Sequence, residues 1–399
     1  MSLRLQTQGQ ASPALRANVL GRISFGPTDR EVRSDTVRVL RGAERDPDLD
    51  GYAGILADSN PESLAAVPAI SAARHLDHLS SGDVVLLQPT GGVRTLFRPA
   101  SDHNSIFTTD RCNSYCLMCS QPPRKVDDSD RIVEHLRLIE LIARGAPGDL
   151  PRALGITGGE PTLLGDDFLR IVERCRDLLP QTALHVLSNG RMFYYGSFAR
   201  KLGEISHPDL MIGVPIYSDL DFEHDHVVQA PGAFGQTLIG LQNLGRYGVP
   251  VEIRVVLHRM TVGRLLATAE LIYRNLPFAA QVALMGLEPI GLAVKNLGAL
   301  RIDPRDYAEE LEAATLYLAD RGIPVSIYNH PLCAVPESLW RFCRRSISDW
   351  KNEFLPACAD CAGRNRCGGF FASAVERREI LGLVASPLDP RRVALALDR

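Results

Sequence analysis

From about position 104 onward, apolar residues fall into short runs separated by stretches with helical spacing. The runs 105–108, 153–157, 183–187, 210–214, 251–257 and 281–285 are rich in aliphatic side chains, which reads as six strands. Between them, Ile132, Leu136, Ile139 and Leu141, and again Phe234, Leu238, Leu241 and Leu244, recur along one helix face. Strand then helix, repeated, predicts buried parallel strands under outer helices. The expected fold class is α/β, a partial (β/α)6 TIM-like barrel over 101–303. Residues 1–100 read differently: Pro and Gly punctuate short segments, and 84–88 and 93–97 flank a Thr90-Gly91-Gly92 turn as a hairpin. This β-rich N-terminal region is a candidate for peptide recognition, because an exposed strand edge pairs with an extended peptide. Downstream, a helix over 307–318 and a strand over 325–328 lead into a cysteine-bearing C-terminal domain, 304–375. The tail, 376–399, mixes charges without obvious chemistry.

Composition narrows the function classes. A chain of 399 residues, 45% apolar and 23% charged with a net charge of -3, is globular and needs no disulfide staples. Basic residues number 44 against 47 acidic, so no stripe neutralises phosphates and nucleic acid is excluded as a partner. No apolar run approaches the roughly 20 residues that span a bilayer, and the first sixteen residues lack a signal-peptide pattern. The expectation is a cytoplasmic protein with no membrane partner. In a reducing compartment its nine cysteines call for metal-ligand or nucleophile chemistry.

Six of them form two tight groups. Cys112, Cys116 and Cys119 follow the strand 105–108, and so lie on a loop at its carboxyl end, the active-site face of α/β barrels. Thiolates select zinc or iron–sulfur centres, and three without a near fourth leave one metal position free for a reacting ligand. A zinc site completed from afar by His103 or Cys175 is the alternative. One strand further on, Thr157-Gly158-Gly159-Glu160-Pro161 brings paired glycines, where a ligand can approach the backbone, and a carboxylate able to accept from an ammonium group.

Cys-x3-Cys-x2-Cys followed one βα unit later by Gly-Gly-Glu-Pro resembles the signature of the radical S-adenosylmethionine superfamily. The resemblance implies a [4Fe-4S] cluster on Cys112, Cys116 and Cys119 whose open iron is chelated by S-adenosylmethionine. It places Gly158, Gly159 and Glu160 by the methionine amine, Met118 against the adenine, and Ser188 and Asn189 by the ribose. Arg254, inside the barrel, is the expected partner of the cofactor carboxylate; an ion pair with Glu252 or Glu288 is the rival, disfavoured for Glu252 by a spacing of roughly 7 Å along the strand.

Cys358, Cys361 and Cys367 form the second group, for which Cys333 supplies a fourth thiol, with Cys343 as its alternate. The Cys-x2-Cys-x5-Cys spacing resembles auxiliary-cluster domains of peptide-modifying members of the superfamily, except that Phe371 stands where the full pattern has another cysteine. One auxiliary [4Fe-4S] cluster is implied; a four-cysteine zinc site satisfies the same count. Cys175 reads as a small buried hydrophobe. His224-Asp225-His226 reads as a polar loop, with metal binding as the rival, and Gly286 as a point where substrate or cofactor passes close to the backbone.

Ser120-Gln121-Pro122-Pro123, Leu276-Pro277-Phe278, Met285-Gly286-Leu287-Glu288, the stretch 346–352 and Cys367-Gly368-Gly369-Phe370-Phe371 together resemble one of the paired maturases of the His-Xaa-Ser repeat peptide system. That resemblance covers roughly 104–373. It implies a ribosomally made precursor peptide with His-Xaa-Ser repeats as substrate, a sister radical enzyme as partner, and an electron donor. Two rivals stand beside it: a radical enzyme acting on a small molecule in cofactor biosynthesis, and a zinc-bound peptide-binding scaffold without catalysis.

Overall fold

The computed structural model describes residues 5–42, 48–60, 62–346, 348, 351–389 and 393. Ile347, Asp349 and Trp350 of the stretch 346–352, the first four residues and most of the tail beyond 389 lie outside the described residues. The chain divides into two compact units, Met1–Ile106 with Ser129–Gly155 and Arg170–Ala183, and Phe107–Asp128 with Ile156–Leu169 and Leu184–Arg399.

The first unit is built on a mixed sheet of β1 (Gln6–Gln8), β2 (Gln10–Ala11), β3 (Val19–Ser24), β4 (Thr36–Leu40), β5 (Gly54–Ala57), β6 (Ala69–Ser71), β7 (Val84–Leu87) and β8 (Gly92–Phe97). Its order is β1-β8-β7-β3-β4-β5-β6-β2. Since β1 and β2 are the two halves of one extended segment broken only at Gly9, the sheet returns on itself. At Gly9 a Cβ would stand 2.5 Å from the Ser71 carbonyl oxygen, so only glycine lets the segment bridge both edges. Val37, Val39, Leu56, Ile70, Val85 and Leu87 fill the interior.

The expected hairpin is present as β7 and β8, paired antiparallel with Leu87 opposite Val93. Its expected free edge is not, because β1 occupies the outer side of β8, Gln6 facing Arg94 and Gln8 facing Gly92. Closure satisfies the backbone groups on which strand addition depends. Helix α1 (Ile132–Ala143) belongs to the same unit. Arg137 and Arg144 both pair with Asp35, and Arg22 donates to the Leu141 carbonyl at 3.0 Å. Its buried residues are His135, Leu138, Ile139, Leu141 and Ile142, so the packed face is rotated away from Ile132 and Leu136.

The remaining strands are β9 (Asn104–Phe107), β10 (Ala153–Thr157), β11 (Ala183–Leu187), β12 (Leu210–Pro215), β13 (Val251–Leu257), β14 (Gln281–Gly286), β15 (Val325–Tyr328) and β16 (Cys343–Arg344). They follow one another in sequence order, and the pairs from β11 to β16 are all parallel. The second unit holds the carboxyl ends of β9 and β10 with all the later strands. Sequence alternation along β11 to β14 sorts the two faces. Val186, Ile212, Val214, Ile253, Val255 and Leu284 are almost inaccessible on one face, whereas His185, Arg254, Gln281 and Met285 on the other are half-buried. The expectation of strands buried throughout holds for one face only, because the second is lined by polar side chains that keep contact with solvent. Helices α2 (Asp166–Leu178), α3 (Gly196–Ile205), α4 (Asp221–Val228), α5 (Ala233–Arg246), α6 (Leu265–Asn275) and α7 (Ala308–Ala319) complete the longer elements. Cys175 lies wholly buried on α2, as expected of a small hydrophobe. No helix among the described residues is long and apolar enough to cross a membrane.

Candidate functional site

The loop after β9 is fixed before its cysteines begin. Thr108 donates its N–H to the Thr157 carbonyl at 2.8 Å, tying the end of β9 to the end of β10. Asp128, 2% exposed, then accepts from the Thr109 hydroxyl, from the Asp110 N–H at 2.7 Å and from Arg111 Nε at 3.0 Å. Nothing in the sequence marked this residue: within Asp127-Asp128-Ser129-Asp130 it looks like any solvated acid. Gly158 and Gly159 complete the clamp. A Cβ on Gly158 would meet the Thr109 carbonyl oxygen at 2.7 Å, and one on Gly159 would run into Arg111. The space left by these side chains is thus taken by the backbone at the start of the cysteine loop.

The loop proper is held from the opposite side. Tyr115 and Leu117 donate backbone N–H groups to Val228 and Val227 at the end of α4, and Asn296 Nδ2 donates to the Leu117 carbonyl at 2.8 Å. Leu292 donates to the Cys119 carbonyl at 2.8 Å. Gly291, with φ of +57°, carries no side chain because a Cβ would stand 2.5 Å from the Ser120 carbonyl oxygen. The three thiols that result are mutual neighbours. Burial, then repulsion from Cys112 and Cys119, pushes the Cys116 thiol up to about 12, and burial is the main cause of the rise of Cys112 to about 11. As bare thiols they would stay protonated at neutral pH; a cationic metal centre reverses that balance. A desolvated set of three soft donors in one short loop fits an iron–sulfur cluster with one position left open.

Glu160 is placed beside this loop but turned inward. Its carboxylate, 1% exposed, accepts from the Thr162 N–H at 3.1 Å, the Thr162 hydroxyl at 2.5 Å, the Ser188 hydroxyl at 2.8 Å and the Asn189 N–H at 2.6 Å. Burial raises its pKa, against those hydrogen bonds. Asn189 Nδ2 in turn donates to Asn113 Oδ1 at 2.6 Å, and Arg191 donates to the Asn113 carbonyl. The expected cofactor residues Glu160, Ser188 and Asn189 are therefore brought together as a brace between β10, β11 and the cysteine loop. Met118 is buried with Tyr217, Val227, Val228 and Ala293.

Arg254 donates to Glu252 Oε1 at 2.5 Å, and Glu252 also meets His185 Nε2 at 3.3 Å and Gln281. The spacing argument against this ion pair fails because both side chains project from the same face and are long enough to converge. Burial pushes the Glu252 carboxyl up, but His185 and Arg254 outweigh it and bring the group down to about 2.

The His224-Asp225-His226 loop is instead part of helix α4. His224 is buried and accepts from the Tyr217 N–H at 3.3 Å, whereas His226 is exposed. Residues two apart on a helix point to different sides, so the pair cannot share an ion. Gly286 faces the Asn329 carbonyl oxygen, 2.5 Å from where its Cβ would be, which is a packing role. His258, at the end of β13, was not anticipated. Its Nδ1 accepts from the Met260 N–H at 3.3 Å, leaving the proton on a buried Nε2 that has no partner among the described residues.

Cys333, Cys358, Cys361 and Cys367 line one cavity with Phe354, Phe370 and Leu388. The Cys367 sulfur accepts N–H groups from Leu332 and Gly369, each at 3.3 Å, and the Cys361 sulfur accepts from Leu388 at 3.3 Å. Such donors stabilise ligated thiolates. Cys343 is outside this lining, its thiol directed to the Leu339 carbonyl at 3.6 Å. Phe371, where the fuller pattern has a cysteine, packs with Ala374 and Leu381 as ordinary core. Among the described residues, no three His, Cys, Asp or Glu side chains converge on a single point as ligands of one ion. Four thiols around one cavity meet the ligand count of a four-cysteine zinc site and of a [4Fe-4S] cluster alike.

Residues 106–272 match the family model described as the Radical SAM superfamily. No curated protein matches the chain. Among solved structures, SuiB of Streptococcus suis bound to S-adenosylmethionine is similar at 13% identity over 58% of this chain and 52% of that one, with a TM-score of 0.47. The chain thus matches about half of the length of SuiB. The enzyme anSMEcpe with bound AdoMet and Cp18Cys peptide is similar at 17% identity over 56% of this chain and 62% of that one, with a TM-score of 0.39. A radical SAM methyltransferase from Sphaerobacter thermophilus is similar at 16% identity over 70% and 74% of the two chains, with a TM-score of 0.40.

Proposed function

We propose that this chain is a radical SAM peptide maturase acting on a ribosomally made precursor with His-Xaa-Ser repeats. The observation that carries the radical chemistry is the desolvated trio Cys112, Cys116 and Cys119, braced on one side by Asp128, Gly158 and Gly159 and on the other by Gly291 and Asn296. Cys112, Cys116 and Cys119 would hold a [4Fe-4S] cluster there, which together with S-adenosylmethionine would supply one-electron cleavage of the sulfonium and hydrogen-atom abstraction from the substrate. The chain's own residues hold and shield. Met118 covers the loop with apolar surface, and the Glu160 brace keeps Asn113 and Asn189 in register. Gly158, Gly159, Ser188 and Asn189 offer backbone and side-chain polar groups at the same strand ends. The peptide substrate and the sister maturase rest on the sequence stretches 120–123, 276–278, 285–288, 346–352 and 367–371. Cys333, Cys358, Cys361 and Cys367 are proposed to hold an auxiliary cluster, supported by their shared cavity and its N–H donors.

The test is iron, sulfide and zinc per chain in anaerobically prepared protein, beside the Cys112→Ala/Cys116→Ala/Cys119→Ala variant. About eight irons falling to about four, followed by 5'-deoxyadenosine formation that rises with precursor peptide, is the expected result. Zinc at both groups without iron would end the radical reading. Iron with 5'-deoxyadenosine formation indifferent to the peptide would shift it to a small-molecule substrate.

A further inference from the structure

The second cysteine group carries a charge pattern that holding a cluster does not require. Between positions 341 and 370 the sequence has six basic residues against three acidic ones, in a chain that is acidic as a whole. Arg341, Arg344, Arg345, Arg364 and Arg366 are all exposed. Tertiary structure gathers them. Arg344 donates to the Arg341 carbonyl at 2.6 Å, Arg345 donates to the Asn365 carbonyl at 3.2 Å, and Arg364 lines the cavity of the four thiols. Their hydrogen bonds go to backbone carbonyls, and Arg341 and Arg364 lie over Phe342 and Phe354. Among the described residues none of the five is in an ion pair. Like charges gathered without acidic partners repel one another, a cost that holding the four thiols does not require.

We infer that this arginine surface is the docking site of an acidic one-electron carrier protein, which approaches the centre held by Cys333, Cys358, Cys361 and Cys367. The inference rests on the proposed iron–sulfur content of that site. Three observations select this class of partner. The thiols of Cys333, Cys358 and Cys361 are only half-buried, so a redox group on a docked protein comes close to the centre. Among the described residues no large apolar side chain between 341 and 370 is exposed, so the surface lacks the anchors of a tight interface. Electron-transfer encounters are small, short-lived and steered by charge, and need little more than a complementary patch beside the redox centre. A cluster held by these four thiols would take one electron from the reduced carrier, which would depart oxidised.

The experiment uses the anaerobic holoprotein with an acidic flavodoxin and an acidic ferredoxin as probes, and basic cytochrome c as the charge control. Binding is measured at about 50 and about 300 mM salt. Arg341→Gln/Arg345→Gln/Arg366→Gln is the principal variant and Arg345→Glu/Arg366→Glu the second; all these side chains are exposed, and none lines the cavity. The expected result is that at least one acidic carrier binds and cytochrome c does not. Affinity then falls about tenfold or more in the Gln variant and further in the Glu variant, and raising salt weakens wild type more than either. Absence of binding by both acidic carriers, or equal affinity and salt dependence in wild type and variants, overturns the docking site. Iron content and S-adenosylmethionine cleavage driven by dithionite are read on the same samples. If both are present in every protein, failure belongs to the docking inference; if wild type holds no iron, it belongs to the proposed function.

Discussion

Replacing Glu160 with Gln tests whether a buried carboxylate, and not merely a side chain of that shape, holds the cysteine loop in place. Oε1 accepts from the Thr162 N–H, the Thr162 hydroxyl and the Ser188 hydroxyl, and Oε2 accepts from the Asn189 N–H. Hydroxyl groups rotate and can become acceptors; backbone N–H groups cannot. Whichever way a Gln amide turns, its NH2 faces either the Thr162 or the Asn189 N–H, and one backbone donor loses its bond in a site that is 1% exposed. One such orphan costs about 1–3 kcal/mol, or a fall in melting midpoint of about 2–12 °C at the sensitivity of a large domain. Glu160→Ala orphans both donors and should cost roughly twice as much. Because Asn189 also anchors Asn113 beside Cys112, iron at the first cysteine group should fall in the same order: wild type, Gln, Ala. Thermal unfolding by circular dichroism and iron titration on anaerobic samples read both effects. A Gln variant that melts within about 1 °C of wild type with undiminished iron would refute the bracing role.

The other predictions concern neighbouring parts of the same design. Gly291→Ala places a Cβ against the Cys119 and Ser120 carbonyls at a positive φ, so it should lower iron at the first group while leaving the second intact, as read by iron per chain in a background lacking one group or the other. Cys333→Ser should remove iron from the second group, whereas Cys343→Ser should leave it unchanged; the reverse result would place the fourth ligand outside the cavity. Burial holds His224, His258 and His330 down at about 4, against the usual 6.5. Above that usual value all three are neutral folded or unfolded. As pH falls from there toward 4 only the unfolded chain takes up their protons, so stability should drop by about 1.4 kcal/mol per pH unit for each, and His330→Phe should flatten the slope in urea melts. Glu252, held at about 2 against the usual 4.5, acts in a lower window. Its contribution is complete above 4.5 and is lost as pH falls through 2, about 3 kcal/mol in all, so Glu252→Gln should lie closest to wild type at the acid end.

The sequence by itself determined the elements and their order. Apolar runs give β10, β11, β13 and β15 to the residue, because one buried face is enough to place aliphatic side chains at alternate positions along a short segment with polar ends. It also sorted six of the nine cysteines into two groups, because spacing within one short loop is a local property. Tertiary structure decided what each of those local features is for. The glycines of Gly158-Gly159 are alike in any strand-ending turn, and only the fold shows that the backbone of Thr109 and Arg111 fills their space. Asp128, Asn296 and Gly291 lie near in space and far apart in sequence, so no periodicity or spacing could have marked them as the frame of the loop. The same holds for the hairpin of β7 and β8, whose edge is free in the sequence and covered by β1 in the fold. Cys333 and Cys343 are equivalent as text; the turn that brings one of them into the cavity, and the contact that sets Arg345 beside Asn365, come from long-range packing, which a single chain of residue types records only in its three-dimensional outcome.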